Sequence, residues 1–194
     1  AGTGSVSFSG LIGGTTPLGD FSVTASGGVS IPSSISTKNG QITINSPLTL
    51  GASTTISSMA SSGTGAPIAF SSTINATTAG VEGLIITAGI GSATFSGNIG
   101  STIPLGALTV SADGGIHLAS AISTKNGIIT LNSPVILAGA TVLATNGASG
   151  TGAAVLLNST VNGTTAGAQS LTIDAGNGAA TFTGAVGGSI PIGA

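Results

Sequence analysis

A chain of 194 residues is long enough to bury a sizeable core, yet only 3% of it is charged, Cys, Trp and Tyr are absent, and 34 residues are Gly. A net charge of −2 with two cations excludes a basic surface for phosphates, and without Trp or Tyr there is no platform for stacking bases, which sets nucleic-acid binding aside. The missing Cys excludes disulfide stapling without assigning a redox compartment, and no run of about 18 apolar residues could span a membrane.

In chain order the sequence opens on "AGTGSVSF", which lacks the charged-then-apolar order of a signal peptide. Apolar residues then come in short two-fold runs: Val6 and Phe8, Phe21 and Val23, Ile42 and Ile44, Leu48 and Leu50. Period two over four or five residues predicts strands. Between them, "SGG", "NSP", "KNG", "GTGAP" and "TTAG" supply the Gly, Asn and Pro that corners require. No run has helical spacing, so the predicted class is all-β. With a mean hydropathy of +0.62 and little charge to keep copies apart, self-association is expected.

The same elements recur. "GSVSFSG" begins at Gly4, "GSATFSG" at Gly91 and "GAATFTG" at Gly178, an interval of 87 residues each time, and 45 of the 87 positions pairing residues 4–90 with 91–177 are identical. The chain divides into copies 1–87, 88–174 and a partial 175–194, and reads as a window on a longer array forming a single solenoid segment. Coils starting at Val6, Val29, Leu48, Ile68 and Ala93 predict a right-handed parallel β-helix with about four coils per repeat, three larger coils being the alternative. Phe8, Phe95 and Phe182 recur at the same interval and are expected inside.

The repeat also tests each candidate for chemistry. Asp20 faces Ala107, Glu82 faces Gln169, Asp113 faces Ser26 and Asp174 faces Thr87, so no acid recurs. General acid–base work needs two carboxyl groups held close together, and these four are expected as solvated surface groups. His117 alternates with Ile116 and Leu118, pointing outward, and no Cys or acid beside it completes a metal set. Catalytic, cofactor-binding and metal-binding residues are all expected to be none. Asn75, Asn158 and Asn162 sit in Asn-x-Thr sequons, a pattern that Thr-rich turns produce readily. Lys38 and Lys125, the only cations, occupy two copies of "ISTKNG", read as a solvent-facing corner recurring every 19 Å or so along the rod. The functional alternative for them is a Lys–Asn isopeptide crosslink, which needs a nearby carboxyl group.

The strings "ATFSGNIGSTIPLGALTVSADGG", "AISTKNGIITLNSPVIL" and "STVNGTTAGAQSLTIDAGNGAATFTGAVGG" resemble the tandem β-strand repeats of large filamentous-haemagglutinin-like bacterial surface and secreted proteins. The resemblance implies an extracellular β-helical stalk of an adhesin or matrix fibre, exported by an outer-membrane partner. The expected function is structural and non-enzymatic, giving reach, stiffness and lateral association into filaments or bundles, with host or neighbouring-cell contacts made elsewhere. The alternatives are a glycan-binding or glycan-cleaving β-helix with its active site outside this window, and an ice-binding solenoid. The last wants a flat array of outward Thr at every coil, which the Thr-x-Thr triplets do not form in sequence.

Overall fold

The computed structural model describes residues 3–31 and 33–193. Its strands are two to six residues long and all named pairings are parallel, stacked coil upon coil into three faces. Face I carries Val6–Ser7, Val29–Ile31, Leu48–Leu50, Ile74–Ala76, a bridge at Ile99, then Ile122–Ser123, Thr141–Ala144 and Leu171–Asp174. Face II carries a bridge at Ile12, then Ile35–Ser36, Thr54–Ser57, Leu84–Gly89, Leu108–Ala112, Ile129–Leu131, Val155–Leu157 and Ala180–Phe182. Face III carries Phe21–Val23, Ile42–Ile44, Ile68–Phe70, Ala93–Phe95, Ile116–Leu118, Val135–Leu137, Val161–Gly163 and a bridge at Val186. Each face thus has eight rungs and the chain makes about seven turns, a β-solenoid.

Short alternating strands suit this architecture because each buries only one side. Ile42–Ile44, Ile68–Phe70, Ile116–Leu118 and Ile129–Leu131 all place their first and third side chains inside and the middle one outside. Inward residues stack in register: Ile12, Ile35, Ile56, Ile86, Val110, Leu131 and Leu157 form one continuous column on face II. The backbone bonds between coils run along the axis, so each coil completes the polar groups of its neighbours. Phe70 and Phe95 stack with ring centroids 5.3 Å apart on adjacent rungs of face III.

The repeat and the coil have different periods. Leu48 pairs with Ile74, whereas Ile68 pairs with Ala93 on another face, so the expected coil start at Ile68 is corrected to Ile74. Coils vary in length because some corners hold long loops: Ile35 to Ile56 takes 21 residues and Ile56 to Ile86 takes 30. Following the chain from Val6 on face I to its copy Ala93 on face III crosses eleven strand positions, or three and two-thirds turns. The expected four coils per repeat therefore resolve into eleven thirds. Each 87-residue copy is displaced by about 18 Å along the axis and rotated by one face.

The recurrent Phe residues show the effect of position. Phe95 is buried, Phe8 is half-buried against Phe21, and Phe182 is 42% exposed. Phe182 keeps the inward register, pairing with Leu157, and its exposure is that of the last rung of face II.

Candidate functional site

The two "ISTKNG" strings lie at different corners. Ile35–Ser36 belongs to face II and Ile122–Ser123 to face I, so Lys38 and Lys125 do not form a row, and the expected recurrence along one corner is corrected. What recurs is a clamp. Asn39 and Asn126 adopt φ of 59° and 60°, in the left-handed region that Asn tolerates better than most residues. The Asn39 Oδ1 accepts from the Thr64 amide (2.7 Å) and the Gly65 amide (3.1 Å) of the next coil, and the Asn126 Oδ1 accepts from Thr151 (2.7 Å) and Gly152 (3.1 Å). Thr37 and Thr124 each donate their hydroxyl at 2.6 Å to the carbonyl of the Gly that follows the Asn.

The clamped loop needs that support. Ser61 and Ser62 in the first copy, and Ala148 and Ser149 in the second, have positive φ without being Gly, which costs roughly 1–3 kcal/mol per residue. Buried hydroxyls close the loop from below: the Ser58 Oγ accepts from the Ala66 amide and donates to its carbonyl, and the Thr145 hydroxyl does the same with Ala153. Gly40 and Gly127 serve a separate purpose. Added β-carbons there would run into the backbone carbonyls of Gly19 and Gly106, so Gly is required by close approach of two coils.

Glu82 departs from its expected place. It is buried, only 6% exposed, and its carboxylate accepts from the Thr77 hydroxyl (2.7 Å) and the Thr78 amide (2.8 Å) of the "TTAG" corner. Burial alone would raise its pKa, but these bonds, with others from its own and the Thr77 backbone, outweigh burial and leave it below the ordinary Glu value. The Gln169 Oε1 takes the same position, accepting from the Thr164 and Thr165 amides at 3.0 Å each. The expectation of a solvated Glu82 is thus corrected: it is an internal cap whose shape recurs in Gln169 even though its charge does not. The sequence signal was "TTAG" followed in each copy by an isosteric Glu or Gln.

The other acids, Asp20, Asp113 and Asp174, are exposed. The Asp20 Oδ1 accepts from the Gln41 amide at 2.8 Å, and Asp174 accepts from the Asn146 side chain at 2.8 Å. His117 points outward from face III, half-buried between Thr94 and Ile136. Among the described residues no three His, Cys, Asp or Glu side chains converge as metal ligands. The sequon residues Asn75 and Asn162 are inter-coil clamps: the Asn75 Oδ1 accepts from the Thr102 and Ile103 amides, and the Asn162 Oδ1 from Ser189 and Ile190. Asn158 donates to the Asn132 Oδ1 at 2.9 Å, and Asn132 donates to the Ser111 Oγ at 3.0 Å, forming a polar ladder up one edge of face II.

Beside that ladder the outer surface of face II shows a row the sequence hides. Thr55, Ile85, Thr109, Thr130, Leu156 and Thr181 stand in register on six consecutive rungs, all pointing outward. These positions are 21 to 30 residues apart along the chain, an irregular spacing that the unequal coil lengths bring into register. None of the known family profiles, curated proteins or solved structures compared with the chain matches it.

Proposed function

We propose that this chain is a non-catalytic structural segment of a long bacterial extracellular or cell-surface fibre, supplying reach, stiffness and lateral association. The observation that carries the reading is the stack of parallel strands on three faces, continued on face I through the bridges at Ile99, in which the coil-to-coil hydrogen bonds point along the axis. Pulling on such a rod loads many bonds in parallel on every coil. The resemblance to filamentous-haemagglutinin-like repeats supplies the extracellular setting, and right-handed winding is what parallel crossovers adopt. Electron microscopy of the native assembly tests it: rods or filaments growing by about 18 Å per 87-residue copy are expected, and compact particles would overturn it.

The aligned row Thr55, Thr109, Thr130 and Thr181 favours a second reading, an ice-binding face, although Ile85 and Leu156 interrupt the hydroxyls. Thermal hysteresis in a solution of the chain supports this reading, and its absence removes it.

A further inference from the structure

The second "ISTKNG" corner brings together three groups that the first corner lacks. Lys125 forms an antiparallel bridge with Asn146 of the next coil, so the two side chains leave the backbone on the same side, with Cβ atoms roughly 5 Å apart. The Asn146 Nδ2 donates to the Asp174 Oδ2 at 2.8 Å, one coil further on, where the Thr145 amide also bonds the Asp174 carbonyl at 2.9 Å. A lysine, a carboxamide and a carboxylate thus follow one another on three successive coils. In the first copy Lys38 bridges to Met59, and Thr87 holds the position of Asp174, so both partners are missing there.

The lysine stem is held against this corner. Lys125 is half-buried, whereas Lys38 is exposed. Its stem lies between Gly80 and Gly150, where added β-carbons would stand 3.2 Å from the Lys125 Cβ and Cγ respectively. Gly150 belongs to the loop that Asn146 opens, and its amide bonds the Asn146 carbonyl at 3.0 Å. Rotation about the outer bonds of a four-carbon stem packed on that loop can carry Nζ onto the Asn146 Cγ. The carboxamide is also set for it. Asn45, Asn132 and Asn158 give their side-chain hydrogens to a hydroxyl or another amide, but Asn146 gives its own to a carboxylate, the group a departing ammonia needs beside it. Attack by the following Gly147 amide, which would close a succinimide instead, is opposed because that amide is held by the Thr124 carbonyl at 2.9 Å.

We propose that Lys125 and Asn146 join spontaneously in an isopeptide crosslink, with Asp174 carrying the proton. The unprotonated Lys125 Nζ adds its lone pair to the Asn146 Cγ. One Nζ hydrogen passes to the Asp174 carboxylate and from there to Nδ2, which takes the electron pair of the breaking Cγ–Nδ2 bond and leaves as ammonia. The products are one secondary amide and one ammonia, Asp174 is regenerated, and no further reactant is consumed. Fixed juxtaposition on neighbouring coils supplies the effective concentration for this single acyl transfer. The new bond staples two coils across 21 residues and holds the corner against peeling. It concerns one corner of the rod and does not rest on the fibre reading.

Mass spectrometry of the whole chain after incubation in solution tests it, because the crosslink removes one ammonia, about 17 Da, from the intact mass. Lys38 and Lys125 are the only residues after which trypsin can cut. The denatured parent should give 1–38 and one branched fragment 39–194, since an acylated Lys125 is not cleaved, and fragmentation should place the branch at Asn146. Asp174→Thr and Asn146→Met each copy the first repeat, which already accommodates those residues. Both variants should recover the full mass and release 39–125 and 126–194. A full mass in the parent with ordinary cleavage after Lys125 would overturn the proposal. So would a 17 Da deficit with ordinary cleavage, the mark of a succinimide, or a crosslink that persists in Asp174→Thr. Rods or compact particles in microscopy judge the fibre reading separately, whichever result the masses give.

Discussion

At the scale of single residues, side chains that look decorative hold the corners. Glu82 is the clearest case, because its folded pKa lies below its unfolded value. Its ionised form therefore contributes stability above that unfolded value, and that contribution is lost as pH falls through the lower folded value. Thermal melts of Glu82→Gln, which copies the second repeat, should show a weaker loss of stability between about pH 6 and pH 2 than the parent. An unchanged acid dependence would show that Glu82 is not the titrating cap. Asn39 offers a separate test, since Gly preserves the positive φ and removes the clamp, whereas Ala removes both. Asn39→Ala should cost about 1–3 kcal/mol more than Asn39→Gly in denaturant unfolding, the scale of left-handed strain at a non-Gly residue.

At the scale of elements, the strands were legible in the sequence and their faces were not. Alternation in "QITIN" or "PLTL" states which side chains point inward, and the structure keeps that pattern at Ile42–Ile44 and Leu48–Leu50. Nothing in the alternation says which face a strand joins. The step from Leu48 to Ile68 looks like a coil because its 20 residues fall within the normal range, yet the chain reaches the partner of Leu48 only at Ile74. Glu82 was misplaced for a related reason: its partners Thr77 and Thr78 are neighbours in a turn, and only the folded turn shows a carboxylate drawn inward. Corner geometry was partly legible, because "KNG" signalled positive φ at Asn, but the crowding at Gly40 and Gly127 comes from another coil. Substituting Ala at Gly127 should therefore destabilise by several kcal/mol, as overpacking against backbone does, while Gly10→Ala, with open space around it, should be near neutral. Urea midpoints of the two variants make the comparison.

At the scale of the whole molecule, the mismatch between repeat and coil decides what the surface looks like. If four whole coils made one repeat, every copied feature would line up on one side of the rod, and a charge or clamp would form a straight row. With eleven thirds of a turn, each copy moves to the next face, and three copies are needed before a feature returns to its starting side. Lys38 and Lys125 report this directly, since one follows face II and the other follows face I. Spin labels on a Lys38→Cys/Lys125→Cys variant should be separated by about 25 Å, combining an axial step of about 18 Å with a similar displacement across the section, against about 19 Å for a corner shared after four whole coils. The shorter distance would require a repeat of whole coils and contradict the pairing of Leu48 with Ile74. The longer one means that an array of such repeats spreads each copied surface over all three sides. The outer row of face II has its repeat counterparts on both other faces with different side chains: Val142 and Thr172 of face I stand for Thr55 and Ile85, and Ser22, Thr43, Ala69 and Thr94 of face III stand for Thr109, Thr130, Leu156 and Thr181. Substitution at those positions gives each side of the rod its own outer row, so duplication has not produced one surface copied three times.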